Sequence, residues 1–204
     1  MEIPDTYKTI KSTSKGIFRD RGSRFIAFAN PVFSAEEVKT LLDEYRKTYH
    51  DARHHCYAWM IGHERNQWRA NDDGEPSGTA GKPILGQINS NQLTNILIVV
   101  IRYFGGTLLG TSGLINAYRS AAAEAINVGE IVEYTVNQYY RLKFPYSSMN
   151  EVMKVIKEEN VIQSEQQFEL NCSIRVAIRL SLTEQIIKKF SSIENVTMEY
   201  LETR

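Results

Sequence analysis

A chain of 204 residues with ordinary apolar and charged content, 42% and 24%, has room for one large or two small domains, since domains typically run to about 100–150 residues. Lysine plus arginine and aspartate plus glutamate each number 24, so no global field draws the chain onto DNA or an anionic membrane, and any nucleic-acid contact has to come from a local patch. Cys56 and Cys172 alone give no disulfide framework and suit a reducing compartment.

The N-terminus, Met1 to Asp5, lacks the basic segment and apolar core of a signal peptide, and the longest apolar run, Ile96 to Ile101, is far short of the ~20 residues that span a bilayer. The expectation is a cytoplasmic, unanchored protein. Thr6 to Arg24 carries Lys8, Lys11, Lys15, Arg19, Arg21 and Arg24 against one acid, Asp20. It reads as a solvated segment leading into a strand at Arg24 to Ala29, with a phosphate-reaching arm as the functional alternative. Ser34 and Glu37 form a capping box for a helix whose face is Val38, Leu41, Leu42, Tyr45 and Tyr49.

His54 to Ile61 alternates as a strand, which sends His55 and Cys56 to opposite faces; zinc binding and a catalytic Cys56 both yield to a buried cysteine beside partly satisfied histidines. A short helix near Pro83 carries Ile84, Leu85 and Ile88. Ile96 to Ile101 reads as a strand covered on both faces, and Gly113 to Val128 as a helix whose alanines pack closely, stopped by a left-handed Gly129. The pattern restarts at Tyr139. Met149, Val152, Met153 and Ile156 make a helical stripe, a strand begins at Asn160 and Val161, and Leu170 to Ser181 alternates strictly, with Leu170, Cys172, Ile174, Val176, Ile178 and Leu180 inward. Thr183 caps a last helix and Val196 to Leu201 closes a βαββαβ order, which is ferredoxin-like.

Chemistry-bearing residues concentrate between Arg69 and Gly113. Asp72, Asp73 and Glu75 crowd into four positions ahead of Ser77, Gly78, Thr79 and Gly81, and Arg102, Tyr103, Phe104, Gly105, Gly106, Gly110 and Gly113 follow the apolar strand. A Walker loop fails because Pro76 and Pro83 stand where glycine and Ser or Thr are needed, and the second loop does not contain GxGxxG. Two roles stay open for that second loop: holding an anion at a helix N-terminus with Arg102 as partner, or turning the chain tightly. The acids could share a magnesium ion, but carboxylates bonded to loop amides, with Ser77 and Thr79 capping turns, is the favoured reading. Because three crowded acids repel, at least one is expected to pair with Arg102 or Lys82.

Asp72-Asp73-Gly74-Glu75-Pro76-Ser77-Gly78-Thr79-Ala80-Gly81 and Arg102-Tyr103-Phe104-Gly105-Gly106-Thr107-Leu108-Leu109-Gly110 resemble the paired signature of the YigZ/IMPACT family, and the likeness extends to Ser23-Arg24-Phe25-Ile26-Ala27 and Gly113 to Tyr118. Two positions depart from it: Asn116 replaces the family's arginine, and His54-His55-Cys56 replaces His-Asn-Cys. The resemblance implies an α+β fold, with an N-terminal domain like domain IV of elongation factor G, a ribosomal-protein-like α/β fold, over residues 1–133 and a ferredoxin-like domain over 134–204. Periodicity alone would allow a doubly wound first half.

The resemblance also implies a non-enzymatic, translation-linked regulator binding RNA or a ribosome-associated protein, with no cofactor and no metal, because eukaryotic members act on translation through a kinase co-activator. The alternative is a hydrolase or ligand-binding enzyme acting on a small phosphorylated molecule at the two glycine loops. A ferredoxin-like sheet would also set Tyr139, Arg141 and Lys143 beside Ser173, Arg175 and Arg179, four cations and one aromatic on an open face suited to weak, salt-sensitive RNA contact.

Overall fold

Six consecutive apolar side chains, Ile96 to Ile101, have no polar face to offer water, and the first part of the chain is built to cover them on both sides. In the computed structural model, which describes residues 5–204, the chain divides into a unit of Tyr7–Tyr134 and a second of Thr135–Arg204 with Asp5 and Thr6. The first contains β1 (Thr6–Ile10), β2 (Ser14–Asp20), β3 (Ser23–Pro31), α1 (Ala35–Thr48), β4 (His54–Ile61), β5 (Gln67–Asn71), α2 (Gly81–Ser90), β6 (Ile96–Tyr103), α3 (Gly110–Val128) and β7 (Ile131–Thr135). Five strands make one sheet in the order β2-β3-β6-β4-β5, every neighbouring pair antiparallel, and β1 and β7 form a separate pair. A doubly wound parallel sheet is therefore not what the βα periodicity encodes, because β6 inserts between β3 and β4.

Both faces of the sheet are covered, which is why β6 reads as an unbroken apolar run. On one face Phe25, Ala27, Cys56, Ala58, Ile98 and Val100 meet Ile84 and Ile88 of α2 and Leu114, Ala117, Tyr118 and Ala121 of α3. On the other, Ile26, Tyr57, Leu97, Val99 and Ile101 meet Val38 and Leu42 of α1. The α1 cap is the expected one: the Glu37 amide donates to Ser34 Oγ at 3.2 Å. The Glu37 carboxylate reaches one residue further back than a standard capping box and accepts from the Phe33 amide at 2.8 Å.

Several expectations need correction. Thr6 to Arg24 is not a solvated segment but two strands, with Thr9, Ile10 and Ser14 buried. Helix α2 begins at Gly81 and α3 at Gly110, both ahead of the expected starts. Gly129 is not left-handed: its φ is −79°. It is small because a Cβ there would meet Ile10 Cδ1 at 2.3 Å. The reading of the N-terminus as lacking a signal peptide rests mainly on residues 1–4, which lie outside the described residues.

The second unit has β8 (Asn137–Pro145), α4 (Met149–Glu158), β9 (Ile162–Gln167), β10 (Asn171–Arg179), α5 (Thr183–Ser191) and β11 (Thr197–Thr203). Its sheet runs β11-β8-β10-β9, antiparallel throughout. Leu142, Phe144, Cys172, Ile174, Val176 and Ile178 pack against Val152 and Ile156 of α4 and Ile186 and Phe190 of α5. The inward alternation fails at its first member, since Leu170 lies ahead of β10 and is 89% exposed. Thr183 does not cap α5; its hydroxyl donates to the Arg179 carbonyl at 3.2 Å, so the helix starts without a side-chain cap. The strand expected at Asn160 starts at Ile162 because Asn160 is left-handed, with φ 51°. Among the described residues no helix is long and apolar enough to cross a membrane.

Candidate functional site

The acidic loop is a self-contained hydrogen-bonded structure. Asp72 Oδ1 accepts from the amides of Ala80 and Gly81 at 3.0 and 2.8 Å, and Oδ2 from Gly78 at 2.8 Å, so this carboxylate caps the N-terminus of α2 from eight residues upstream. Burial works to raise its pKa, but those three amides outweigh it and hold it below the ordinary aspartate value. Asp73 Oδ2 accepts from the His55 amide at 2.6 Å. His54 Nδ1 donates to the Asp73 carbonyl at 2.8 Å, which leaves Nε2 as the ring's acceptor. Thr79 Oγ1 donates to the Pro76 carbonyl at 2.6 Å, while Ser77 is exposed.

Glu75 ties this loop to the second. Its Oε1 accepts from Arg102 Nη1 at 2.6 Å and from the Tyr118 hydroxyl at 2.7 Å, and both members of the ion pair are buried. At least one of the three acids was expected to pair with Arg102 or Lys82, and Glu75 pairs with Arg102. Tyr118, absent from the sequence-derived site, appears in the sequence as a core position at helical spacing and as the end of the family likeness from Gly113. Cys56 Sγ lies 3.3 Å from Tyr118 Oη and 3.0 Å from the Asp72 carbonyl; burial pushes its thiol far above the ordinary range, which removes it as a nucleophile. Among the described residues no group of three His, Cys, Asp or Glu side chains is placed to hold a metal ion.

The second loop, residues 104–109, is held by its backbone. Gly105 lies so close to the β2–β3 turn that a Cβ would sit 1.9 Å from the Gly22 carbonyl carbon, and its amide donates to Ser23 Oγ at 3.1 Å. Gly110, with φ +71° and open space where its Cβ would be, serves only to turn the chain into α3. Gly106 is also left-handed, and Gly113 falls in the first turn of α3. The loop leaves Phe104 52% and Leu108 81% exposed. Between the two loops opens a cavity of about 490 Å³, lined by Arg53, His54, Glu75, Pro76, Arg102, Phe104, Leu108 to Thr111 and Leu114.

Beside it, the β2–β3 turn presents Arg19, Arg21 and Arg24 with Asp20 and Tyr103 around a shallow recess. The Arg24 guanidinium stacks on the Tyr103 ring at 4.8 Å, and the Tyr103 hydroxyl donates to Asp51 Oδ1 at 2.8 Å. Among the described residues Arg19, Arg21 and Arg53 form no ion pair. Neither Arg53 nor this turn belongs to the glycine motifs, and only the basic content of Thr6 to Arg24 hinted at the latter.

The second sheet face keeps its register but not its charge. Lys143 faces Ser173, Arg141 faces Arg175, and Tyr139 faces Ala177, while Arg179 lies opposite Asn137. Every one of its cations is matched by an acid: Arg141 and Arg175 by Glu165 at 2.6 and 2.8 Å, Arg175 also by Glu202 at 2.6 Å, Lys143 by Glu199 at 3.1 Å, and Arg179 by Asp5. Guanidinium groups of Arg175 and Arg204 lie within 4.9 and 4.7 Å of the Tyr139 ring centre. Four cations on an open face is thus a correct register with an incomplete charge inventory. Two of the missing acids arrive through irregularities: the β9–β10 register shifts beside Glu165, whose φ is 47°, and the β11–β8 register shifts between Tyr200 and Glu202, whereas Glu199 comes from the regular part of β11 and Asp5 from the segment before β1.

The model of the Impact N-terminal domain matches residues 21–126, a span that holds both loops, the cavity and the basic turn apart from Arg19 and Asp20. YigZ of Escherichia coli strain K12, an IMPACT family member, is 33% identical over 183 residues, 88% of this chain and 89% of that protein. The chain belongs to the IMPACT family. The rabbit (Oryctolagus cuniculus) protein named Protein IMPACT is 35% identical over 115 residues, 53% of this chain but only 36% of its own length. A solved structure described as that of a hypothetical protein aligns with a TM-score of 0.73 at 27% identity, covering 98% of this chain and 99% of its own. The likeness to YigZ and to that structure thus runs through both units.

Proposed function

We propose that this IMPACT-family protein is a non-enzymatic, translation-linked protein that binds RNA, and that its RNA surface is the end of the five-stranded sheet in the Tyr7–Tyr134 unit. One observation carries the reading. At that end Arg19, Arg21 and Arg53 are unpaired among the described residues, Arg24 is stacked on Tyr103 and Phe104 is exposed, while Asp72 and Asp73 are engaged by amides, Glu75 by Arg102 and Asp51 by Tyr103, which leaves Asp20 as the one acid in the recess lining against three arginines. Unpaired guanidinium groups beside an exposed aromatic ring are what a flexible single strand needs, phosphates on the cations and a base on the Phe104 ring. The link to translation rests on the family resemblance, as does the likeness of the first unit to domain IV of elongation factor G. For the second unit, a ferredoxin-like assignment is supported by β8 and β10, its first and third strands, lying as central neighbours.

The hydrolase reading has less to work with. The carboxylates it would use are committed to loop amides and to Arg102, and the Cys56 thiol resists ionisation. The test is titration of single-stranded and structured RNA, at low and moderate salt, against the wild type and an Arg21→Glu, Arg24→Glu variant. Wild-type binding should be salt-sensitive and the variant about tenfold weaker or more. Equal affinity of the two proteins would remove this surface as the RNA site.

A further inference from the structure

The cavity between the two loops differs from the open basic turn beside it. Its walls are mainly apolar, from Pro76, Phe104, Leu108, Leu109 and Leu114, and Arg53, His54, Glu75, Arg102 and Thr111 complete the lining. There α3, 19 residues long, begins with no side-chain cap and no acidic residue in its first turn, so the amides that follow Gly110 and the positive end of the helix dipole stay uncompensated. A second, independent feature points the same way. Arg102 lines the cavity, is only 7% exposed, and its buried Nε has no hydrogen-bond partner among the described residues, because Glu75 takes only Nη1. Arg53 adds a second cation, and Glu75 is the single carboxylate in the lining.

We propose that this cavity holds one nucleoside 5′-monophosphate unit, its base against Phe104, Leu108 and Pro76 and its phosphate at the start of α3 beside Arg53, the cation of the lining that no acid neutralises among the described residues. The volume of about 490 Å³ lies within the ~300–1,000 Å³ usual for small-molecule sites. An exposed phenylalanine at the mouth offers a stacking face that every base can use. His54, whose Nδ1 is engaged by the Asp73 carbonyl, keeps Nε2 as an acceptor for a ribose hydroxyl or an exocyclic amine. The same chemistry is presented by a free nucleotide and by an unstacked nucleotide of a single strand. The RNA form of the proposal rests on the RNA-binding reading, with the unpaired arginines of the β2–β3 turn taking the neighbouring phosphates.

The test uses the full chain, the four ribonucleoside 5′-monophosphates, inorganic phosphate and a single-stranded oligoribonucleotide of about ten residues. The informative variant is Thr111→Asp, which places a carboxylate on the exposed first turn of α3. That position favours a negative charge, so the variant should melt at the wild-type temperature or above while its carboxylate occupies the phosphate position. The expected result is mononucleotide binding stronger than that of inorganic phosphate, and weakened about tenfold or more in Thr111→Asp. Unchanged mononucleotide affinity in that variant, or no binding of any monophosphate at millimolar concentration, overturns the site. If the oligonucleotide binds wild type and Thr111→Asp equally but loses affinity in Arg21→Glu, Arg24→Glu, the RNA-binding reading stands and the nucleotide pocket does not. If mononucleotides bind and Thr111→Asp abolishes it, while the oligonucleotide binds no tighter than they do, the pocket stands and the RNA reading falls.

Discussion

Two regions of this protein present arginines on a β-sheet, and they differ in what surrounds them. On the open face of the second unit Arg141, Lys143, Arg175 and Arg179 each meet a carboxylate, and Glu165 is shared by two of them. At the end of the first unit's sheet the acids of the 72–75 loop face inward, Asp72 and Asp73 onto backbone amides and Glu75 onto Arg102 and Tyr118, and Asp20 is the one acid in the recess that Arg19, Arg21 and Arg24 line. The count of cations is similar in the two places; the field each offers to a phosphate is not. What decides is whether neighbouring strands or buried loops have claims on the acids.

The comparison predicts graded outcomes. Arg102→Ala should cost most, about 3–5 kcal/mol in denaturant unfolding, because it leaves Glu75 buried without its cation. A loss under ~1 kcal/mol, with an undisturbed 72–81 loop in the variant's structure, would mean that the buried pair does not organise the site. Tyr118→Phe removes the second donor to Glu75 Oε1 and should cost roughly 1–2 kcal/mol; a silent change would place the whole burden on Arg102. A smaller effect is expected from pH. Burial lowers the His55 pKa below its ordinary 6.5, the Asp73 carboxylate only partly offsetting this, and Nε2 donates to the Tyr49 carbonyl at 3.1 Å.

The unfolded state therefore takes up a proton first as pH falls. Stability is full above about 6.5 and declines below it until the folded histidine also titrates. Melting curves between about pH 5 and 7.5 should slope for the wild type and flatten for His55→Gln; parallel curves would dismiss His55 as a contributor. The least change is expected from Arg141→Glu, Arg175→Glu, Arg179→Glu, which should leave RNA affinity unaltered, since those cations are already neutralised. A loss comparable to that of Arg21→Glu, Arg24→Glu would erase the distinction between the two regions.

Much of this was legible in the chain. The covered strand at Ile96 to Ile101, the Ser34 cap and the pairing of one acidic-loop carboxylate with Arg102 all follow from local composition and charge repulsion. Strand order was not, because periodicity records which face a residue takes and not which strand lies beside it; β6 slips between β3 and β4 without leaving a mark on either. Gly129 misled for a related reason, since a glycine after a helix can answer a crowded neighbour as well as a left-handed φ. Two of the acids that silence the second sheet face were hidden by the two register shifts, which move Glu165 and Glu202 relative to the strand they pair with. Alternation cannot foresee a bulge. The cavity draws Arg53, the α3 start and the 104–109 loop from distant segments, so only the glycine motifs announced it.

Those register shifts have a consequence for the protein at high concentration. β9 and β11 are the outer strands of the four-stranded sheet, and an outer strand with a regular ladder is a template for another chain's backbone. An irregularity beside Glu165 and another near Leu201, with carboxylates at both, break the spacing that such a template requires. Glu165 and Glu202, two of the acids that neutralise this face, are carried by the same features that keep its two borders from recruiting a neighbouring molecule, so straightening either strand would expose the protein to edge-to-edge aggregation.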